Sequence, residues 1–184
     1  MYIIMSIIII LIVLTILIYN TMLSKRNKLL KSYSSLDVML KKRYDLVPNV
    51  VNTVKGYAKY EKETLEKIIS LRSKADDCKN SKDLEEVSSS YLGFMNDVSF
   101  LSEQYPDLKA NENFIHLQKL LNELEEQISA ARRTYNAHVE NYNTYISYIP
   151  FNIFASLFNF KPYDFFEAKS EEKESKIWFN EDNK

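Results

Sequence analysis

Three side chains in this sequence form the one plausible reactive cluster: Arg43, Asp45 and Asp107. A cation beside two carboxylates is the equipment of a hydrolase, with the acids handling protons and the arginine meeting developing negative charge. The other candidates are weaker. A di-iron helical bundle needs two Glu-x-x-His pairs, but Glu112 precedes His116 by four residues and no second pair exists. Glu123, Glu125 and Glu126 cluster on a long helical run, where glutamates normally form a solvated face. Cys78 is the only cysteine, which excludes an intramolecular disulfide and a multi-cysteine zinc site. It reads as a small apolar filler. No histidine lies near it in sequence, and no Ser/His/Asp arrangement emerges. Zinc-protease, P-loop, dinucleotide and EF-hand patterns are missing, and two glycines cannot build a phosphate-binding loop. The residues therefore point away from an enzyme and imply no cofactor and no metal.

The elements that would position these groups are helical. Two glycines and four prolines among 184 residues are too few for the turns of a β protein, so the chain reads as all-α. The length suits one domain plus a targeting element. A net charge of −1 gives no general reason to expect nucleic-acid binding.

The first twenty residues, MYIIMSIIIILIVLTILIYN, contain only Ser6, Thr15 and Asn20 as clearly polar side chains. About twenty apolar residues span the hydrocarbon core as a helix. A cleaved signal peptide would have a basic start, a shorter core and a small-residue cleavage site. This segment has none of those, so residues 1–23 read as an uncleaved transmembrane anchor that meets lipid through residues 2–20. Lys25, Arg26, Lys28 and Lys31 follow it and nothing basic precedes it. Basic flanks stay in the cytoplasm, which places the N-terminus outside and the rest of the chain at the inner face of the cell membrane.

Three apolar stripes follow at steps of three and four, the spacing of one helical face. The first is Leu29, Tyr33, Leu36, Leu40, Tyr44, Val47, Val51, Val54 and Ala58, extended by Leu65 and Ile68. The second is Leu84, Val87, Tyr91, Phe94, Val98, Leu101 and Tyr105. It should stop at Tyr105-Pro106, because proline biases the residue before it away from the helix. Asn111 is a candidate cap for the third, which runs from Phe114 through Leu117, Leu121, Leu124, Ile128, Ala131, Tyr135, His138, Tyr142 and Ile146 to Ile149, ended by Pro150. This last helix is about 57 Å long at 1.5 Å per residue. Such stripes are core, and His138 among them is a core or edge histidine.

Pro48 interrupts the first stripe in KKRYDLVPNVV. An interior proline costs a helix about 3 kcal/mol. Either one helix continues through a kink, as the unbroken phase allows, or the chain turns near Asp45, an N-cap residue. The lengths favour the turn, because a second run of only about 23 residues would leave the start of a long first helix uncovered. A turn there gives an antiparallel up-down four-helix bundle over residues 24–160. Residues 151–160, FNIFASLFNF, put Ile153, Phe154, Leu157 and Phe158 on one side of a short helix, as a membrane-interface element or a lid on the bundle. Residues 161–184 form a charged, mobile tail ending in an apolar Ile177-Trp178-Phe179 tag.

Several blocks resemble the LemA family of bacterial membrane proteins. They are RNKLLKSYSSLDVMLKKRYDLVPNVVNTVKGYAKYE (26–61), YPDLKANENFIHLQ (105–118), AARRTYN (130–136), Tyr142-Asn143, Pro150 and LFNF (157–160). The first two are highly specific. The resemblance implies a single N-terminal transmembrane helix with a four-helix bundle, and it supplies no reaction, cofactor or catalytic residue set. Family-like residues are Asp37, Arg43, Tyr44, Asp45, Pro48, Asn49, Tyr105, Pro106, Asp107, Lys109, Asn111, Asn113, Arg132, Tyr135 and Asn136.

If Pro48 and Pro106 both mark turns, they share the membrane-distal end of an up-down bundle. Arg43, Asp45, Asn49, Asp107, Lys109, Asn111 and Asn113 would then cap helix ends there, present a partner-binding surface, or do both. The expected function is a membrane-anchored module that binds or scaffolds a membrane or cytoplasmic protein, with self-association possible. The alternatives are a hydrolase built on Asp45 and Asp107, or a lipid-contacting role for residues 151–160.

Overall fold

The computed structural model describes residues 1–56 and 81–166, so Ala58, Leu65, Ile68, Cys78 and the Ile177-Trp178-Phe179 tag lie outside the described residues. The described residues are helical, with no strand. Helix α1 is Tyr2–Lys55, α2 is Ser81–Gln104, α3 is Pro106–Lys109, α4 is Glu112–Ser147 and α5 is Phe151–Leu157. Three of these are long, and the fourth member of the expected bundle is not among them. The chain divides into two compact units, residues 1–36 with 131–165 and residues 37–130 with 166–184.

The expected turn at Pro48 does not form. Pro48 lies inside α1, and the helix gives way to a turn only at Gly56. Packing explains the outcome. Leu40, Tyr44, Val47, Val50, Val51 and Val54 are all buried on either side of Pro48. Burying an aliphatic side chain contributes roughly 1.5–3 kcal/mol, so the four valines together outweigh the roughly 3 kcal/mol penalty of an interior proline. A break at residue 44 would have reset the phase that keeps them on one face.

The start of α1 is covered, but not by the second run. In the first unit, α4 covers it in the antiparallel sense. Tyr33 meets Tyr135 with ring centroids 5.8 Å apart, and Lys25, two turns back, sits 5.1 Å over the Tyr145 ring, ten residues on. Leu29, Leu36, Tyr135, Val139, Tyr142 and Ile146 are buried in this unit.

In the second unit the sequence signals hold. Helix α2 stops at Gln104, and Tyr105 ahead of Pro106 is extended at φ −120°, ψ 90°. The single turn α3 buries Leu108 completely. Asn111 caps α4 as expected, its Oδ1 accepting the Phe114 backbone N–H at 3.1 Å. In the first unit the third stripe stops short of its expected end: α4 ends at Ser147, and Ile149 is 82% exposed instead of buried.

Helix α5 ends in a Schellman motif. The Phe160 N–H donates to the Ala155 carbonyl at 2.8 Å and the Asn159 N–H to that of Ser156 at 3.3 Å. This geometry needs a left-handed residue just past the cap. Asn159 supplies it at φ 57°, and asparagine is the best substitute for glycine there. The turn carries Phe160 into a buried position beside Tyr19. We expect Asn159→Gly to keep or raise the melting temperature, and Asn159→Val to lose about 1–3 kcal/mol from forcing a β-branched residue into that region. Thermal melts of the full chain in detergent, followed by circular dichroism, check both.

Candidate functional site

The second unit is organised around Arg43. The alternation of the first stripe puts Arg43 and Tyr44 side by side on the buried flank of α1, at 0% and 1% exposure. Taking a guanidinium out of water costs several kcal/mol unless its protons find acceptors. Here Nη2 donates to the Ser88 hydroxyl of α2 at 2.7 Å and to the Tyr44 hydroxyl at 3.0 Å. Nη1 pairs with Glu125 of α4 at 3.2 Å. The flat cation lies over the Tyr91 ring at 4.2 Å and the Tyr44 ring at 5.1 Å, a cation–π arrangement that gains from desolvation. Only Nε has no hydrogen-bond partner among the described residues.

The electrostatics follow from these contacts. Burial by itself would lower the Arg43 pKa, but the Glu125 carboxylate and the Tyr44 and Tyr91 rings outweigh it, and the pKa is raised. The same burial pushes the Tyr91 phenol up, against the pull of Arg43, so it stays neutral. Arg43 is therefore a fixed cation whose Nη groups are committed to two neighbouring helices and to Tyr44. It is not on a turn surface, and it is unsuited to meeting a substrate.

The remaining candidates lie elsewhere in this unit. Asp45 and Asn49 are exposed, within α1 and not at a turn. Asp107 and Lys109 are exposed on α3, Asn113 is exposed in the first turn of α4, and Asn111 is half-buried as its cap. The premise that two proline turns share one end is corrected for Pro48, because the valine packing carries α1 past it. Asp37 pairs with Lys41 one turn on at 3.1 Å. Among the described residues no group of three or more His, Cys, Asp or Glu side chains could hold a metal ion.

The first unit contains an arrangement that the apolar stripes did not reveal. Residues 161–164, after the Schellman turn, run without regular structure along α4 and are held by its side chains. The Tyr142 hydroxyl donates to the Lys161 carbonyl at 3.0 Å, and the Tyr135 hydroxyl to that of Asp164 at 2.9 Å. Asn143 bonds both ways with Tyr163, giving Nδ2–H to its carbonyl at 2.8 Å and accepting its N–H at 3.0 Å. The Tyr163 hydroxyl in turn accepts from Arg26 Nε at 3.3 Å. Burial raises the Tyr142 pKa, helped by Tyr163 and opposed by Arg26. The signal was present in sequence: Tyr135, Tyr142 and Asn143 share a helical face, with polar atoms a purely apolar core would not need.

A family model described as the LemA family matches residues 32–179. Protein LemA of Metamycoplasma hominis is 28% identical over 128 residues, which cover 69% of this chain and 58% of the relative. Magnetosome protein MamQ 2 of Paramagnetospirillum magneticum is 34% identical over 67 residues, 36% of this chain and 25% of that protein. Magnetosome protein MamQ of Magnetospirillum gryphiswaldense is 30% identical over the same length and shares. The chain thus spans less than two thirds of the length of these relatives.

A guanidinium fork that ties three helices should resist replacement by lysine. Lys keeps the charge and its desolvation cost but lacks the planar fork. We expect Arg43→Lys to cost about 2–4 kcal/mol and Arg43→Met to cost less, because methionine carries no charge to bury. Glu125→Gln should cost under about 1 kcal/mol, since the carboxylate is 42% exposed. Detergent-phase thermal unfolding of the three variants gives the order, and an Arg43→Lys melt equal to wild type would remove the fork as the tie.

Proposed function

We propose that this chain, which belongs to the LemA family, is a membrane-anchored helical module that docks another protein through the exposed polar residues of its second unit. The observation that carries the reading is the division of labour in that unit. Arg43 is closed off inside, while Asp45 and Asn49 of α1, Asp107 and Lys109 of α3 and Asn113 of α4 present charge and hydrogen-bonding groups to solvent. A hydrolase on the same residues needs a cation beside Asp45 and Asp107, and Arg43 is already committed to Glu125, Ser88 and Tyr44.

The anchor reading rests on α1, whose N-terminal part has a mean hydropathy of 3.0 over eighteen residues and is almost wholly exposed. Isoleucine, leucine and valine side chains at 47–77% exposure from Ile3 to Leu17 suit lipid and not water. Lys25, Arg26, Lys28 and Lys31 follow directly, so the module faces the cytoplasm with the N-terminus outside.

Orientation is tested with a cysteine at an exposed position just past the anchor. S34C in a C78S chain should react with a membrane-impermeant maleimide only after the cells are opened. Labelling of intact cells would reverse the topology. Docking is tested by photo-cross-linking in cells from probes replacing Asn49 and, separately, Lys109, with exposed Glu126 as the control. A discrete adduct from the first two positions and not from the control is expected. No adduct, or the same adduct from all three, would return these residues to a structural role.

A further inference from the structure

The first unit carries an apolar stripe that its own core does not use. Among the described residues beyond the anchor, the large hydrophobic side chains more than 60% exposed are Phe100, Tyr148, Ile149, Ile153 and Leu157. Four of the five fall within ten residues. Ile153 and Leu157 are four residues apart and share a side of α5, and Ile149 stands exposed in the turn that leads into the helix. Phe154 is half-buried and Phe158 packs on Tyr19, so the outward side differs from the one that residue type alone suggests.

Contacts inside this unit fix the level of the stripe along α1. The rings of Phe158 and Phe160 meet Tyr19 edge-on, at 5.1 and 5.7 Å. At the other end of α5, Phe151 stacks on Tyr145 at 4.3 Å, and Lys25 lies over that same ring. Helix α5 therefore sits beside α1 between the levels of Tyr19 and Lys25. The apolar run from Tyr2 to Tyr19 is about 27 Å long at 1.5 Å per residue, close to the thickness of a hydrocarbon core. Tyr19 then falls at the boundary where aromatic rings concentrate, and Lys25 in the headgroup layer.

We infer that α5 is an interfacial helix that lays Ile149, Ile153 and Leu157 into the acyl boundary of the same leaflet from which α1 emerges. The bilayer, and not a second copy of this chain, is the occupant, because Phe158, 38% exposed, packs on Tyr19, 37% exposed, and so joins the end of the stripe to the lipid-exposed face of the anchor. Contact at two places, one crossing and one lying in the surface, fixes the tilt and rotation of this unit against the membrane, which one crossing helix cannot do. The inference rests on the membrane crossing proposed above and not on the docking of a protein partner.

The test uses the full chain with its single tryptophan removed (W178F) and a new indole introduced at one position, I153W or L157W. Each variant is reconstituted in two sets of phosphatidylcholine vesicles, one with acyl chains brominated near the headgroup for the α5 positions and one brominated near the chain ends for I9W. I9W in the anchor and E126W on α4 are the controls, and far-UV circular dichroism confirms helix content. We expect blue-shifted emission and a marked loss of intensity from brominated lipid for I153W, L157W and I9W, with E126W unaffected. Quenching of I9W alone would overturn the interfacial helix and leave the crossing intact. That holds whether I153W and L157W are then open to iodide in the water or shielded from both quenchers by a second copy or by residues 167–184. No quenching even of I9W would remove the crossing and the inference together.

Discussion

The rotational phase of α1 is the constraint on which the other elements depend. A 54-residue helix has to choose one face to bury along its length after the apolar segment, and Met22, Leu29, Leu36, Leu40, Tyr44, Val47 and Val54 hold to it through an interior proline. Helices shorter than that would tolerate a reset, because each could find its own partner. Here Arg43 is buried only because it neighbours Tyr44 on that face, and Tyr33 meets Tyr135 only because it lies further back along it. Shifting the phase by one residue, about 100° around the helix, would expose the valines and take the guanidinium away from Tyr91, Ser88 and Glu125.

The two units use polar atoms differently. Around Arg43 a single side chain spends its donors on groups from two other helices and on its own neighbour, so one cation fixes three elements at once. Around residues 161–164 the reverse holds. Several side chains of α4 each satisfy a backbone group of an irregular segment, doing for it what a strand neighbour does in a sheet. Asn143 reproduces both halves of a backbone pair, since its amide turns one N–H and its oxygen together toward the Tyr163 carbonyl and N–H.

Much of this was legible in the residues, and the rest was hidden for identifiable reasons. The stop before Pro106, the Asn111 cap and, among the described residues, the apolar stripes apart from their exposed ends at Tyr105 and Ile149 depend on local spacing and local backbone preference, and they appear where expected. Pro48 was misjudged because its penalty is local and visible, whereas the burial that outweighs it comes from helices distant in sequence. Arg43 looked like a surface residue because it sits between charged Lys42 and Asp45, yet its position on the stripe next to Tyr44 placed it inside. The stretch 161–164 reads as the start of a loose tail because it lacks periodicity. Its order comes from Tyr135, Tyr142 and Asn143, whose hydroxyl and amide groups carry no period of their own. The exposed polar candidates, Asp45, Asn49, Asp107, Lys109 and Asn113, could be named from composition and spacing, but what they meet is not written in this chain.

The bond between Arg26 and Tyr163 joins residues 137 positions apart. During vectorial synthesis the anchor and its basic flank leave the ribosome long before the segment that will close over them exists. Met22 and Leu29, fully covered in the finished unit, must spend that interval against lipid, water or another protein. Closing so long a loop is slow compared with forming any single helix. The first unit thus closes only after residues 160–165 have been made, long after its own portion of α1, and a chain truncated before Phe160 would leave the inward face of that portion uncovered by them.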